Sequence, residues 1–237
     1  MARTVNPEEF ASKRRDILNT AQRLVFTKGY EQMSIQDILD EIHISSGAFH
    51  HYFASRAALL EALIEQMQLE VEQPLLAIVH DPHTSATEKL QGYFATLDVA
   101  RTAQKAFIAN LVRVWFTDDN AIVREKVNEA IVERRTPLLA EIVRQGVQEG
   151  VFTTSYPDQA GGVILTLARG MGDTLAKLML SFEQNRKDLN CINEIVDTYG
   201  VYADAIERVL GAPSGFLIRL DAEAITEWMS TPEESAT

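Results

Sequence analysis

The stretch that most restricts the fold runs SIQDILDEIHISSGAFHHYF, residues 34–53. Ser34 and Asp37 form a capping box in which aspartate replaces the usual Glu or Gln. Ile35, Ile38, Leu39 and Ile42 then line one face of a short helix. His43-Ile44 interrupts that helix, and Ser45 or Ser46 caps a second one reaching about Tyr52. Phe49 and Phe53 recur at helical spacing and therefore belong to the core. Two short helices joined by so tight a turn have the outline of a helix-turn-helix. A helix entering a DNA groove about 12 Å wide favours small side chains in its first turn. Ser45, Ser46, Gly47 and Ala48 meet that need, and His50, His51 and Tyr52 are left on or near the exposed side. Adjacent histidines point about 100° apart on a helix, so His50 and His51 are poorly placed to hold one metal ion together.

The rest of the chain reads as helix. Asn6-Pro7-Glu8-Glu9 opens helix 1 over 8–28, and Gly29 closes it. Ser55 caps a long fourth helix that Pro74 is expected to bend or break. Helical patterns follow over 84–102, 103–117, 121–149, 157–182 and 192–210, with Pro137 expected to break the third of these. No alternating strand run appears. The expected fold is all-α: a helix-turn-helix domain over 8–56, a larger helical domain over 57–212 and a tail over 213–237.

Charge is divided unevenly. The net charge is −12, yet the first 56 residues are neutral and carry three of the five histidines. An acidic body therefore carries a neutral N-terminal end able to present a local patch to phosphate. The run Lys13-Arg14-Arg15 is read as a solvated helix face, with phosphate contact as the alternative. No membrane-length apolar run or leader is present, and the single cysteine, Cys191, excludes an internal disulfide framework. A cytoplasmic protein without membrane association is expected. No catalytic motif or metal-ligand spacing is found, so neither enzyme activity, a cofactor nor a metal is expected. His80-Asp81-Pro82-His83 is read as a polar loop.

The stretch from about Arg14 to Met67 resembles the N-terminal domain of TetR-family transcription regulators. The resemblance runs through AQRLVFTKGY, SIQDILDEI, SSGAFHHYF and SRAALL. It implies that double-stranded DNA is the partner. Ser34 would cap the second helix and contact phosphate, Gln36 would lie near the DNA backbone or a base, and Ser45, Ser46, Ala48 and His50 would face the major groove. His51, Tyr52 and Arg56 would position phosphates. One position departs from the family pattern: His43 stands where glycine is usual in the turn, and histidine tolerates positive φ better than most residues.

The resemblance also implies a dimerisation and effector-binding body. Gly161, Leu165, Ala168, Gly172 and Ala176 form a small-residue stripe, with Ile195, Tyr199, Tyr202 and Ile206 as its partner stripe. Together they suggest a four-helix homodimer interface, with packing inside one chain as the alternative. Phe94, Phe107, Trp115 and Met171, with Asn110, Arg169 and Asp173 among them, are the candidate lining for a small, mainly apolar effector. A repressor released from an inverted repeat by such a ligand is the leading expectation. Control by a protein partner, or activation, is the alternative.

Overall fold

The computed structural model describes residues 6–102, 114–184 and 189–217, with 219, 221–223 and 225–226 beyond them. Among these residues there are eight α-helices and no strand. They are α1 (Pro7–Lys28), α2 (Ile35–Ile42), α3 (Ser46–Tyr52), α4 (Arg56–Val79), α5 (Ala86–Thr102), α6 (Ala121–Gln148), α7 (Pro157–Gln184) and α8 (Leu189–Leu210). A 3-10 turn, Asp118–Asn120, precedes α6.

The chain packs as two compact units. One comprises Met1–Glu70 and Asn110–Ala130, the other Val71–Ala109 and Ile131–Thr237. The first is larger than the expected 8–56 domain, since it takes in most of α4 and the start of α6. The expected proline breaks do not occur. Pro74 lies inside α4 and Pro137 inside α6, and both helices continue. An internal proline costs about 3 kcal/mol. The turns beyond are held by burial: Leu75 and Val79 after Pro74, and Leu138 and Leu139 after Pro137, all lie in the core. Burying a leucine stabilises by about 1.5–3 kcal/mol, so two such residues offset the proline.

In the first unit, Ile17, Ala21 and Val25 of α1, Ile38 of α2, Phe49 of α3 and Leu59 and Leu63 of α4 are all essentially inaccessible. Local signals set the helix ends. Asn6 accepts a hydrogen bond from the Glu8 amide at 3.0 Å, and Ser45 accepts one from the Ala48 amide at 3.2 Å. Ser55 caps α4 through the Ala58 amide at 3.1 Å. The capping box at α2 forms as read, and Lys28 at the end of α1 lies 2.6 Å from Asp37. Arg23 pairs with Glu41, a second tie between α1 and α2.

The second unit is built around Leu75, Leu90, Tyr93, Leu139, Ile142, Phe152, Ile164, Ile206 and Leu210. Helices α7 and α8 pack against each other. Gly146 is obligatory, because a Cβ there would stand 2.0 Å from the Phe152 ring. The His80–His83 segment is a structured turn: Asp81 accepts from the His83 amide at 2.9 Å and the Thr84 hydroxyl at 2.6 Å. The carboxylate of Glu207, buried in α8, accepts from the amides of Gly215 and Leu217 and from Arg219, at 3.2, 2.8 and 2.7 Å. This straps the segment after α8 onto the core.

The stripe proposed from sequence for a dimer divides in the structure. Gly161 packs within the chain, where a Cβ would stand 2.6 Å from the Thr136 carbonyl. Leu165, Ala176, Ile195 and Ile206 are also buried within the chain. Ala168, Gly172, Tyr199 and Tyr202 are half-buried, and nothing lies within 4 Å of a Cβ added at Gly172. A 3.6-residue period marks a buried face without saying which helix covers it.

Candidate nucleic-acid interface

Helix α3 is anchored from one side and open on the other. Phe49 is 0% exposed and Phe53 3%, and their rings lie 5.8 Å apart. Ser45, Ser46, Gly47, His50 and His51 are exposed, while Ala48 and Tyr52 are half-buried. A Cβ at Gly47 would meet only the Ser45 hydroxyl, at 4.0 Å, so the fold itself does not demand glycine there. Phe10 of α1 braces the far end of the helix, with its ring 5.4 Å from that of His51 and 4.8 Å from that of Tyr52. The turn into α3 uses left-handed backbone at His43, with φ 55° and ψ 49°, in the place of the glycine the pattern lacks.

Ser34 and Gln36 are exposed at the start of α2. Both already have local partners. The Ser34 hydroxyl donates to Asp37 at 2.6 Å, and the Gln36 amide donates to Asp40 at 2.6 Å. The Asp37 carboxyl is held well below the usual carboxylate range by its hydrogen bond with Lys28 first, then by the Ser34 hydroxyl and amide. Ser34 thus fixes the angle at which α2 leaves the turn.

Arg56, for which the resemblance implies a phosphate-positioning role, is half-buried in this structure. Its guanidinium donates to the Tyr30 carbonyl and lies 4.0 Å over the Tyr30 ring. Its Nε is buried without a hydrogen-bond partner. The side chain ties the start of α4 to the α1–α2 connection. Its position at the first residue of α4, beside the buried Tyr30, explains the contact.

Sequence reasoning missed a second fastening. Asn120 is 0% exposed. Its Oδ1 accepts from the Tyr30 amide at 2.7 Å, and its Nδ2 donates to the carbonyls of Val25 and Val114, each at 3.2 Å. The Glu31 amide donates to the Asp119 carbonyl at 3.0 Å. Gly29, at φ 89°, passes so close that a Cβ would stand 2.8 Å from the Asp119 Cβ. Asp118-Asp119-Asn120 looks like any polar turn in sequence, and only the pairing with a segment ninety residues away reveals its role.

The candidate effector residues fall on both units. Phe107 and Asn110 lie outside the described residues. Trp115 belongs to the first unit, its ring 6.3 Å from that of Phe26. In the second unit Phe94 packs on Tyr93 at 5.6 Å, Met171 is buried, Asp173 is half-buried and Arg169 is exposed. Burial pushes the Tyr93 phenol up to about 12, with Arg135 beside it pulling the other way.

With this geometry in view, the comparisons agree with one another. Residues 17–63 match the model described as bacterial regulatory proteins, tetR family, and residues 109–189 match a tetracyclin repressor-like C-terminal domain. The chain is 25% identical over 204 residues to the HTH-type transcriptional regulator YfiR of Bacillus subtilis, covering 84% of this chain and 95% of that one. It is 23% identical over 193 residues to the HTH-type transcriptional repressor NemR of Escherichia coli K12, covering 79% and 96%. Among solved structures, the SmeT–triclosan complex superposes with a TM-score of 0.62 at 13% identity, over 89% of this chain and 97% of that one. Among the described residues no helix is long and apolar enough to cross a membrane. Matched by the family's N-terminal and C-terminal domain models and along most of its length by its relatives, the chain belongs to the TetR family of helix-turn-helix transcriptional regulators, DNA-binding proteins and not enzymes.

Proposed function

We propose that this regulator is a cytoplasmic homodimeric repressor that reads an inverted-repeat operator with α3 and leaves it when a small, mainly apolar ligand binds the body. The observation that carries the reading is α3 itself, pinned by Phe49 and Phe53 while Ser46, Gly47, His50 and His51 stand exposed. Small residues let the backbone approach the groove, and His50 can donate to base edges without a fixed charge. His51 and Tyr52, at the helix's end, suit phosphates, which position the protein without reading sequence.

Repression is supported by the similarity to NemR, itself named a repressor. The dimer face we assign to the outer sides of α7 and α8. Val163 is 45% exposed there and Val201 68%, and nothing lies within 4 Å of a Cβ at Gly200. A two-fold pair would set its recognition helices about 34 Å apart, or a multiple of that, for two half-sites. The effector reading is supported by SmeT, a protein of the same fold that has been solved as a triclosan complex. Phe94, Met171 and Asp173 are the candidates that the second unit offers. A ligand that weakens DNA binding must itself bind less tightly to the DNA-bound protein, by the same factor.

The test is a pair of substitutions in α3, read by titration against duplexes that differ at single base pairs. Gly47→Ala leaves thermal stability unchanged or slightly raised, since alanine suits a helix better than glycine, and weakens DNA binding, because its methyl group has room in the fold but stands between backbone and groove. His50→Ala changes which bases are preferred. A uniform loss across all duplexes for His50→Ala contradicts its role in reading sequence.

A further inference from the structure

We infer that Arg14 and Arg15 of α1 hold DNA phosphates beyond the base pairs that α3 reads, an inference that rests on the DNA-reading role of α3 proposed above. The argument starts from which cations have partners. Lys13 lies 3.8 Å from Asp16, Lys28 lies 2.6 Å from Asp37, Arg23 pairs with Glu41, and Arg56 is spent on the Tyr30 carbonyl. Arg14 and Arg15 differ. Among the described residues, neither guanidinium makes an ion pair or a hydrogen bond. Arg14 lies 5.0 Å over the Phe53 ring, a contact with the guanidinium face that uses none of its five N–H donors. In a chain of net charge −12, two adjacent arginines without a carboxylate partner form an unneutralised patch.

The patch has a place and a shape. Phe10, Ala11, Arg14, Arg15, Leu18 and Gln66 line a shallow groove of about 380 Å³. Its Phe10 is the residue that braces His51 and Tyr52, so the groove begins where α3 ends. Arg14 is one turn beyond Phe10 on the same helix face, about 6 Å farther along α1 at 1.5 Å per residue. The two arginines thus stand next to the end of α3, beside the path a DNA strand would take on leaving His51 and Tyr52. Planar guanidiniums with free N–H edges suit phosphate oxygens better than any other anion on offer in duplex DNA. The acids of the same helix do not cancel them: Asp16 is taken by Lys13, and Glu8 and Glu9 belong to the first turn.

The test needs no knowledge of the operator. Affinity for a mixed-sequence duplex of about 40 base pairs, room for two half-sites, is measured against salt concentration. Each lost phosphate contact lowers the slope of log K against log[salt] by about 0.9, and at 0.15 M salt weakens binding about five-fold. Arg14→Ala/Arg15→Ala therefore loses about 1.8 of slope for each protomer bound. Arg14→Lys/Arg15→Lys keeps the slope, since the charge remains. Lys13→Ala, already paired with Asp16, also keeps it. Because Arg14 also packs on Phe53, Arg15→Ala alone, at an exposed position, supplies the variant that leaves the fold intact. An unchanged slope in Arg15→Ala and in the double variant, with wild-type protein binding the duplex, overturns the inference. Wild-type protein that binds no duplex at any salt overturns the DNA-reading role and this inference with it.

Discussion

Replacing Asn120 with alanine removes the most buried polar fastening of the first unit, and its cost can be worked out group by group. Three hydrogen bonds vanish, but only one group is stranded. The Val25 carbonyl also accepts from the Gly29 amide at 3.1 Å. The Val114 carbonyl also accepts from the Thr117 amide at 3.2 Å and from its hydroxyl at 2.7 Å. The Tyr30 amide has Asn120 alone, and a buried amide left unsatisfied costs about 1–3 kcal/mol. The two donated bonds contribute about 0.5–1.5 kcal/mol each, and the terms overlap, so the expected loss is about 3 kcal/mol. Asn120→Asp is expected to do no better at neutral pH. It keeps an acceptor for Tyr30 but turns a carboxylate oxygen toward two carbonyls. The assay is urea unfolding in a Trp228→Phe background, which leaves Trp115 of this unit as the sole tryptophan. Two compact units make a single global transition an unsafe assumption, so the Trp115 signal is fitted by itself. A loss below about 0.5 kcal/mol, the level of an ordinary surface substitution, would refute the reasoning.

Three further outcomes follow from local geometry. His43→Gly relieves a left-handed residue at φ 55° and raises stability by about 0.5–1 kcal/mol in urea titration, the relief outweighing the added chain entropy. Asp37→Asn lowers stability at pH 7. Because the native Asp37 pKa is depressed, its contribution is present above the unfolded value of about 4 and is lost as pH falls through the folded one. Melting curves of the wild type and this variant therefore converge on acidification; a gap that stays constant with pH would contradict the assignment. Glu207→Gln keeps one oxygen for three donors, so it costs about 1–3 kcal/mol and speeds proteolytic cleavage after α8.

What was legible in the sequence was mostly local. The caps at Asn6, Ser34, Ser45 and Ser55 act within three residues of themselves, and each helix start they announced is present. His43 was legible for the same reason, since a missing glycine at a turn points to positive φ. The prolines misled because a local penalty was set against burial that only the folded core supplies. The contacts of Arg56 with the Tyr30 carbonyl and ring were not legible, because motif position says nothing about which way a long side chain turns. Asn120 left no trace, because its partners are at Val25 and Tyr30, far away along the chain. Gly161 and Ile206 have the right periodicity for an interface, yet the covering helix proved to be their own chain's.

The measurement that bears most directly on the central claim is a selection of bound fragments from random duplex DNA by the purified protein, at near-physiological salt. The account predicts enrichment of an inverted repeat whose half-sites are centred about one helical turn, or a multiple, apart. Enrichment of a single unpaired motif would contradict the two-fold reader, and folded protein that enriches nothing would contradict sequence reading by α3.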